Sequence, residues 1–356
     1  MAFRPRHSAI EMRRYMLRFM HLLPELWSMS FIYRTRINQY QAIVEPLMSW
    51  LVDRGVNILS GCLVSDVIFD EDPSRITAKI LCINRDGENH EVPIGAEDLI
   101  FITNGSHISD LAIGSMASRP NPKRNADPWK LWRKLARARP NFGDPSVVAD
   151  HTEDSTWVSF TVTDHGSRYA ELMEDFTGRD ASSGGLVTLK DSNWLITVTR
   201  FHHPNLLDQP ADVFLWWGYG IYPERSGNFI KKPMTECTGA EILQEVLFNL
   251  RFDKNVDSIL KTSICIPCLM PYAGSVFLWQ KITDRPKVIP DGSTNLAFIG
   301  QFCEQPNDVP FTMEYSVRSA RTAVYALTKK GRRPPAVYRG YLDPRVLLRT
   351  VCALHR

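Results

Sequence analysis

Three groupings of chemically versatile residues stand out in this sequence, and spacing removes the obvious use of each. Cys265-Ile-Pro-Cys268 is the one close pair among seven cysteines. A zinc site needs a second ligand pair and a redox site needs a thioredoxin-like βαβ setting, and neither surrounds it. His202 and His203 are adjacent, so on a strand they point to opposite faces and make a poor joint metal site. Gly184-Gly185 and Gly218-Tyr-Gly220 have the wrong spacing for a pyrophosphate turn. The chain has no Gly-x-Gly-x-x-Gly, no Walker loop and no Gly-x-Ser-x-Gly elbow. No metal is expected. The other cysteines are scattered through apolar segments and read as reduced core thiols of an intracellular protein.

Bulk composition sets the frame around these residues. The 356 residues are 44% hydrophobic and 23% charged, enough to bury a core without disulfides or metal. A net charge of +3, from 42 basic and 39 acidic side chains, is too small to imply a nucleic-acid partner. No apolar run reaches membrane-spanning length, and the polar opening has no signal-peptide h-region.

The positioning elements follow from periodicity. Residues 8–23 read as a helix, with Ser8 and Glu11 at capping-box spacing and Met12, Tyr15, Met16 and Phe19 at helical intervals. A second helix is expected over 40–54, ended by Gly55. Strands are expected at 56–59, 62–69, 78–83 and 91–94, with Asp86-Gly87 as a hairpin turn. Residues 98–103 read as a buried strand running into Asn104-Gly105-Ser106. After a polar link at 117–127 comes a basic helix carrying Trp129, Trp132 and Leu135. Residues 140–230 read as β-rich, with strands at 157–163, 185–189, 194–199 and 213–218. Thr238 and Glu241 cap a helix to about Leu250, 296–300 is a strand, and 317–329 is a helix. The last segment is basic (Lys329, Lys330, Arg332, Arg333). A solvated terminus is the simple reading of it, and contact with an anionic membrane surface the sharper one.

Longer strings carry more information. They include Arg13-Arg-Tyr15, Asn38-Gln39-Tyr40, Thr103-Asn-Gly-Ser106, Gly184-Gly-Leu-Val-Thr188 with Asp191-Ser-Asn-Trp194, Lys232-Pro-Met234, Cys237-Thr-Gly239, Met270-Pro-Tyr272, Asp284-Arg-Pro286, Gly300-Gln-Phe302 and Phe311-Thr-Met-Glu-Tyr-Ser-Val-Arg318. In this order, from about Arg13 to Tyr338, they resemble the oleate hydratase family, also called myosin-cross-reactive antigen.

That resemblance implies an α/β (mixed α+β) fold. Its parts are a flavoprotein-type FAD-binding domain over 1–115 and 291–330, an inserted β-rich substrate domain over 116–290, and a basic segment over 331–356. It implies FAD as cofactor, with no net redox part, and an unsaturated fatty acid as substrate, hydrated at its cis double bond. Family members often form dimers, so the resemblance implies a homodimer; a cytoplasmic location follows the reading of the cysteines, and peripheral membrane contact the sharper reading of the basic end. By position, the family's proton donor matches Tyr15, which periodicity alone reads as a core aromatic, and Gln39 matches a glutamine near the reacting carbons. Thr199 matches a threonine that helps hold the substrate carboxylate. The family's two further polar partners are replaced here by Phe201 and Asn205, leaving Arg200 or His202 as substitutes. Val64, Asn104, Ser106, Gly300, Gln301, Phe311, Thr312 and Ser316 match flavin-side positions. Family members also begin with a Gly-rich βαβ unit that takes the FAD pyrophosphate and supplies a water-activating glutamate. This sequence shows none, so the chain alone is expected to bind FAD poorly and to hydrate oleate slowly or not at all. A non-catalytic fatty-acid or membrane binder, and a flavin-dependent isomerase, are the competing readings.

Overall fold

The computed structural model describes residues 3–25, 33–70, 72, 74–122, 125, 127–178, 185–310 and 312–355, and they form a mixed α/β protein. The chain opens with α1 (Ala9–Phe19), a 3-10 turn at Met20–Glu25, a π-helical turn at Tyr40–Val44 and α2 (Glu45–Val52). A meander follows: β1 (Cys62–Phe69), β2 (Ala78–Arg85) and β3 (Glu88–Pro93), then β4 (Ile100–Thr103) and β5 (Ala112–Ile113). Next come α3 (Asp127–Arg137), short helices α4 (Ser146–Ala149) and α5 (Thr152–Ser155), β6 (Trp157–His165), α6 (Arg168–Thr177), β7 (Val187–Leu189), β8 (Ile196–Arg200) and β9 (Val213–Gly220). The chain continues through α7 (Gly239–Asn249), α8 (Val256–Thr262), β10 (Ser263–Met270), β11 (Leu296–Ile299), α9 (Met313–Thr328) and α10 (Pro344–Leu354).

Three sheets result. The first, β1-β2-β3, is antiparallel, and its β2–β3 turn is Asp86-Gly87 as expected, both residues at positive φ. The second has six strands in the order β5-β10-β6-β9-β8-β7, all antiparallel. The third is the parallel pair β11-β4. Side chains alternate across β6 and β10, so one face of the large sheet packs Val158, Phe160, Val162 and Cys265 against Tyr169 of α6, Leu243 and Val246 of α7 and Ile259 of α8. Cys265 and Cys268 are three residues apart on β10 and therefore face opposite sides of it. A second core joins Ile102 of β4 and Phe298 of β11 to Leu135 of α3 and Ala323 of α9. A third, mostly aromatic core packs Trp129, Trp132, Trp157, Tyr219, Phe277 and Phe302.

Several expectations need correction. Residues 56–59 form no strand, and the 40–54 helix is a π turn followed by a short α-helix with no buried residue, because none of the described residues covers its apolar positions. The 140–230 segment holds α6 as well as strands: Ser167 precedes it, and Gly178 ends it in a left-handed conformation. Helix α9 begins at Met313 rather than 317, since the Thr312 hydroxyl caps it by accepting from Tyr315 N at 3.2 Å. Only half of the Ser8/Glu11 box forms. The Ser8 hydroxyl accepts from Glu11 N, but Ser8 N donates to Phe277 O and the Glu11 carboxylate turns to arginines. The Thr238/Glu241 box is complete. Among the described residues no helix is long and apolar enough to cross a membrane.

Candidate active site

Helix α1 carries Glu11, Arg14, Tyr15 and Arg18 at three- and four-residue spacing, so they share one side of the helix. Tyr15 packs its ring against Phe3 (5.3 Å between centroids), Phe277 (5.6 Å) and Phe19 (6.3 Å). Its hydroxyl donates to the Pro310 carbonyl. Burial pushes the phenol well above its ordinary range, and the nearby Glu11 carboxylate pushes the same way, while Arg285 and Arg14 oppose it.

A buried charge cluster fixes α1 at this place. Arg285 bridges Glu11 (2.7 Å) and Glu304 (3.3 Å), and Arg14 bonds the same two carboxylates at 2.9 Å each. Arg14 also donates to the carbonyls of Gln305 and Asp308. One turn further, Arg18 and Arg318 of α9 both pair with Asp308, at 3.1 and 3.0 Å. The loop 304–310, whose last carbonyl accepts the Tyr15 hydrogen bond, is thus held from both sides.

Next to this lies a cavity of about 290 Å³ at the C-terminal ends of the parallel strands β4 and β11. Thr103–Ile108, Gly300–Phe302 and Ser316, in the first turn of α9, line it. Asn104 is 2% exposed, yet neither its amide nitrogen nor its oxygen has a partner among the described residues. Gly105 (φ +59) admits the Trp129 ring at 2.6 Å from where a Cβ would stand, and Gly300 (φ +90) donates its N–H to Ser319 Oγ at 2.9 Å. His107, which motif reading missed, bonds the Tyr272 carbonyl at 3.1 Å, and desolvation lowers its imidazole to about 4. Its only signal in the sequence is its place directly after Asn104-Gly-Ser106.

The structure therefore brings Asn104, Ser106, Gly300, Gln301 and Ser316 to one cavity, with Thr312 capping the helix that borders it and Tyr15 on the carbonyl two residues before Thr312. Phe311 lies outside the described residues. Val64 sits on β1, paired with Ile83 and not on the cavity wall. Gln39 is exposed and has no contact with Tyr15; its neighbours Asn38 and Gln41 instead bond Asn205 O and Leu207 N. Thr199 donates to Gly185 O at 3.3 Å, and Arg200, on the opposite face of β8, bonds Ala170 O and Glu174. His202 is exposed beyond the strand end.

A parallel strand pair whose C-terminal loops and following helix enclose a cavity is a site class that binds ligands at the sheet's carboxyl edge. The model of the MCRA family matches residues 1–325, and the chain belongs to that family. It is 36% identical over 362 residues to an oleate hydratase of Streptococcus pyogenes serotype M49 (strain NZ131), covering 98% of this chain and 61% of that protein. It is 31% identical over 351 residues to a linoleate hydratase of Lactiplantibacillus plantarum, covering 91% of this chain and 61% of that protein. The chain thus spans about three-fifths of the length of these curated relatives.

Proposed function

We propose that this polypeptide forms the acid and flavin-ring side of an FAD-assisted fatty-acid hydratase, a hydro-lyase that adds water across the cis double bond of an unsaturated fatty acid such as oleate. The observation carrying this reading is Tyr15: an aromatic-walled phenol, kept protonated by burial, beside the loop that leads into the cavity. On this reading residues 1–115 and 291–330 make the flavin side, 116–290 the substrate side and 331–356 a basic segment. The whole protein is cytoplasmic and works as a homodimer.

The residues present fit a flavin. The orphaned Asn104 amide offers a donor and an acceptor to a polar heterocycle, and Gly105 and Gly300 let backbone approach closely. The α9 N-terminus, with Thr312 and Ser316, would face the ring or its ribityl chain. When bound, the flavin orders the site and supplies no net redox chemistry.

Isolated alkenes are poor electrophiles, so the step needs a positioned acid in a dry site. The Tyr15 O–H bond breaks as its proton joins one alkene carbon, water adds to the other carbon, and the proton that water sheds returns to the phenolate. Charge developing on the phenol oxygen is countered by Arg14 and Arg285. Before transfer the substrate must displace the hydrogen bond to Pro310. Tyr15→Phe should lower hydroxystearate formation by full-length protein with FAD by about 10²–10⁴, the range for a lost general acid, with little change in melting. Unchanged turnover would overturn the assignment.

A non-catalytic lipid binder has one observation on its side. Helix α10 exposes Leu347, Leu348, Val351 and Leu354 along one side, flanked by Arg345 and Arg349, a pattern suited to a membrane surface. Oleate binding with no turnover in the full-length wild type would favour it.

A further inference from the structure

Helix α9 has two working faces. Tyr315, Ser319 and Ala323 point into the core. Thr322, Tyr325 and Ala326 recur at helical spacing on another side and, with Lys329 at the left-handed C-cap, line a groove of about 970 Å³, at the upper end of the roughly 300–1,000 Å³ typical of small-molecule clefts. Val288 and Ile289 line it, as does the segment 334–337, which Arg318 holds by donating to the Pro335 carbonyl.

The charges on this groove do not balance. Its acids are engaged: Asp291 with Lys287 at 2.7 Å, and Glu304 with Arg14 and Arg285. Lys329, Arg333 and Arg339 are exposed and have no ion-pair partner among the described residues. An apolar slot with surplus cations suits a ligand having one anionic head and one aliphatic tail. The recess between α9 and a strap folded beside it favours a single chain over a bilayer face.

We propose that this groove is a second lipid site, separate from Tyr15, that binds a free long-chain fatty acid with its carboxylate among Lys329, Arg333 and Arg339 and its chain on Thr322, Tyr325 and Ala326. The ligand is read from the groove's own chemistry and does not depend on the hydratase assignment. The test uses palmitate carrying a chain-terminal diazirine, a saturated acid that cannot be hydrated, irradiated with the full chain and mapped by mass spectrometry. Adducts are expected on residues 322–326, 288–289 and 334–337. They should fall by roughly tenfold in Ala326→Trp, which fills the slot, and in the double variant Lys329→Glu/Arg333→Glu. They should persist in Tyr15→Phe. Melting curves matching wild type establish that the variants are folded; for a variant that fails this check, competition of the wild-type adducts by unlabelled palmitate but not by hexadecanol serves instead. Adducts confined to other peptides, adducts indifferent to both the slot-filling and the charge-reversing changes, or labelling that requires anionic phospholipid vesicles would overturn the proposal.

Discussion

Replacing Arg285 probes how α1 is held. Its side chain is 2% exposed and faces the carboxylates of Glu11 (5%) and Glu304 (8%). With Arg14, which contacts the same two acids, the cluster holds two positive and two negative charges and is neutral. Arg285→Met leaves one uncompensated buried negative charge, and breaking a buried pair in this way costs about 3–5 kcal/mol. Because Arg14 still reaches both acids, the lower end, about 3 kcal/mol, is expected. With a urea slope of about 3 kcal/mol/M, the midpoint falls by roughly 1 M. The double variant Arg285→Met/Glu304→Gln restores neutrality with Arg14 and Glu11 still paired at 2.9 Å. It also removes the buried Arg285 Nε and Nη1, which have no partner among the described residues. Arg285→Met alone removes those atoms too, so the restored neutrality is what should make the double variant more stable than the single one. Urea unfolding followed by tryptophan fluorescence measures the cycle. A double variant as unstable as the sum of the two single changes would refute the neutral-cluster argument.

Two further outcomes follow from the cavity. Gly105→Ala drives a methyl to 2.6 Å from the Trp129 ring at a φ of +59, so a loss of about 1–3 kcal/mol is expected in thermal or urea unfolding; a neutral result would mean that the ring yields. The His107 imidazole is held down to about 4 in the folded protein against 6.5 when unfolded, so the unfolded chain binds the extra proton between these values. Stability should then fall with falling pH through that window, by at most about 1.4 kcal/mol per unit, and the slope should flatten in His107→Gln; identical slopes would exclude His107 as its source.

Local signals were legible where an element is held by its own pattern. The Trp129, Trp132 and Leu135 stripe buries as its spacing predicts, the Thr238/Glu241 box closes, and Asp86-Gly87 turns the hairpin. Asn104, Ser106, Gly300 and Gln301 meet at one cavity because they follow two strands that pair in parallel, Ile100 with Leu296 through Thr103 with Ile299, whereas Val64 lies elsewhere on β1. What stayed hidden depends on partners distant in sequence. Arg14 and Glu304 are 290 residues apart, and no periodicity on α1 distinguishes a buried ion pair from a solvated charged face. Glu11 looked like a capping residue because local spacing cannot reveal that Arg285 competes for its carboxylate. Asn38 and Gln41 likewise look like helix-opening polar residues until the 205–207 loop is placed against them. Helix α6 was masked by its setting, since Tyr169 and Met173 bury against a sheet and read as part of the surrounding β-rich run.

The charge cluster also bears on the proposed chemistry, in a way that stability alone does not capture. Burial and Glu11 make the Tyr15 phenol a weak acid, and Arg285 is the first of the groups that work against them. An acid of this kind can act only if the anion it leaves behind is met by positive charge already in place. Replacing Arg285 with Met and Glu304 with Gln together keeps the cluster neutral, yet it leaves Glu11 opposed by Arg14 alone. Stability and turnover should therefore part company in the same variant. Its urea midpoint should recover relative to Arg285→Met, while hydroxystearate formation by the full-length protein should remain down by at least roughly tenfold, corresponding to about 1.4 kcal/mol of lost transition-state stabilisation. Recovery of both together would mean that Arg285 serves α1 packing only and that the phenolate is met by Arg14.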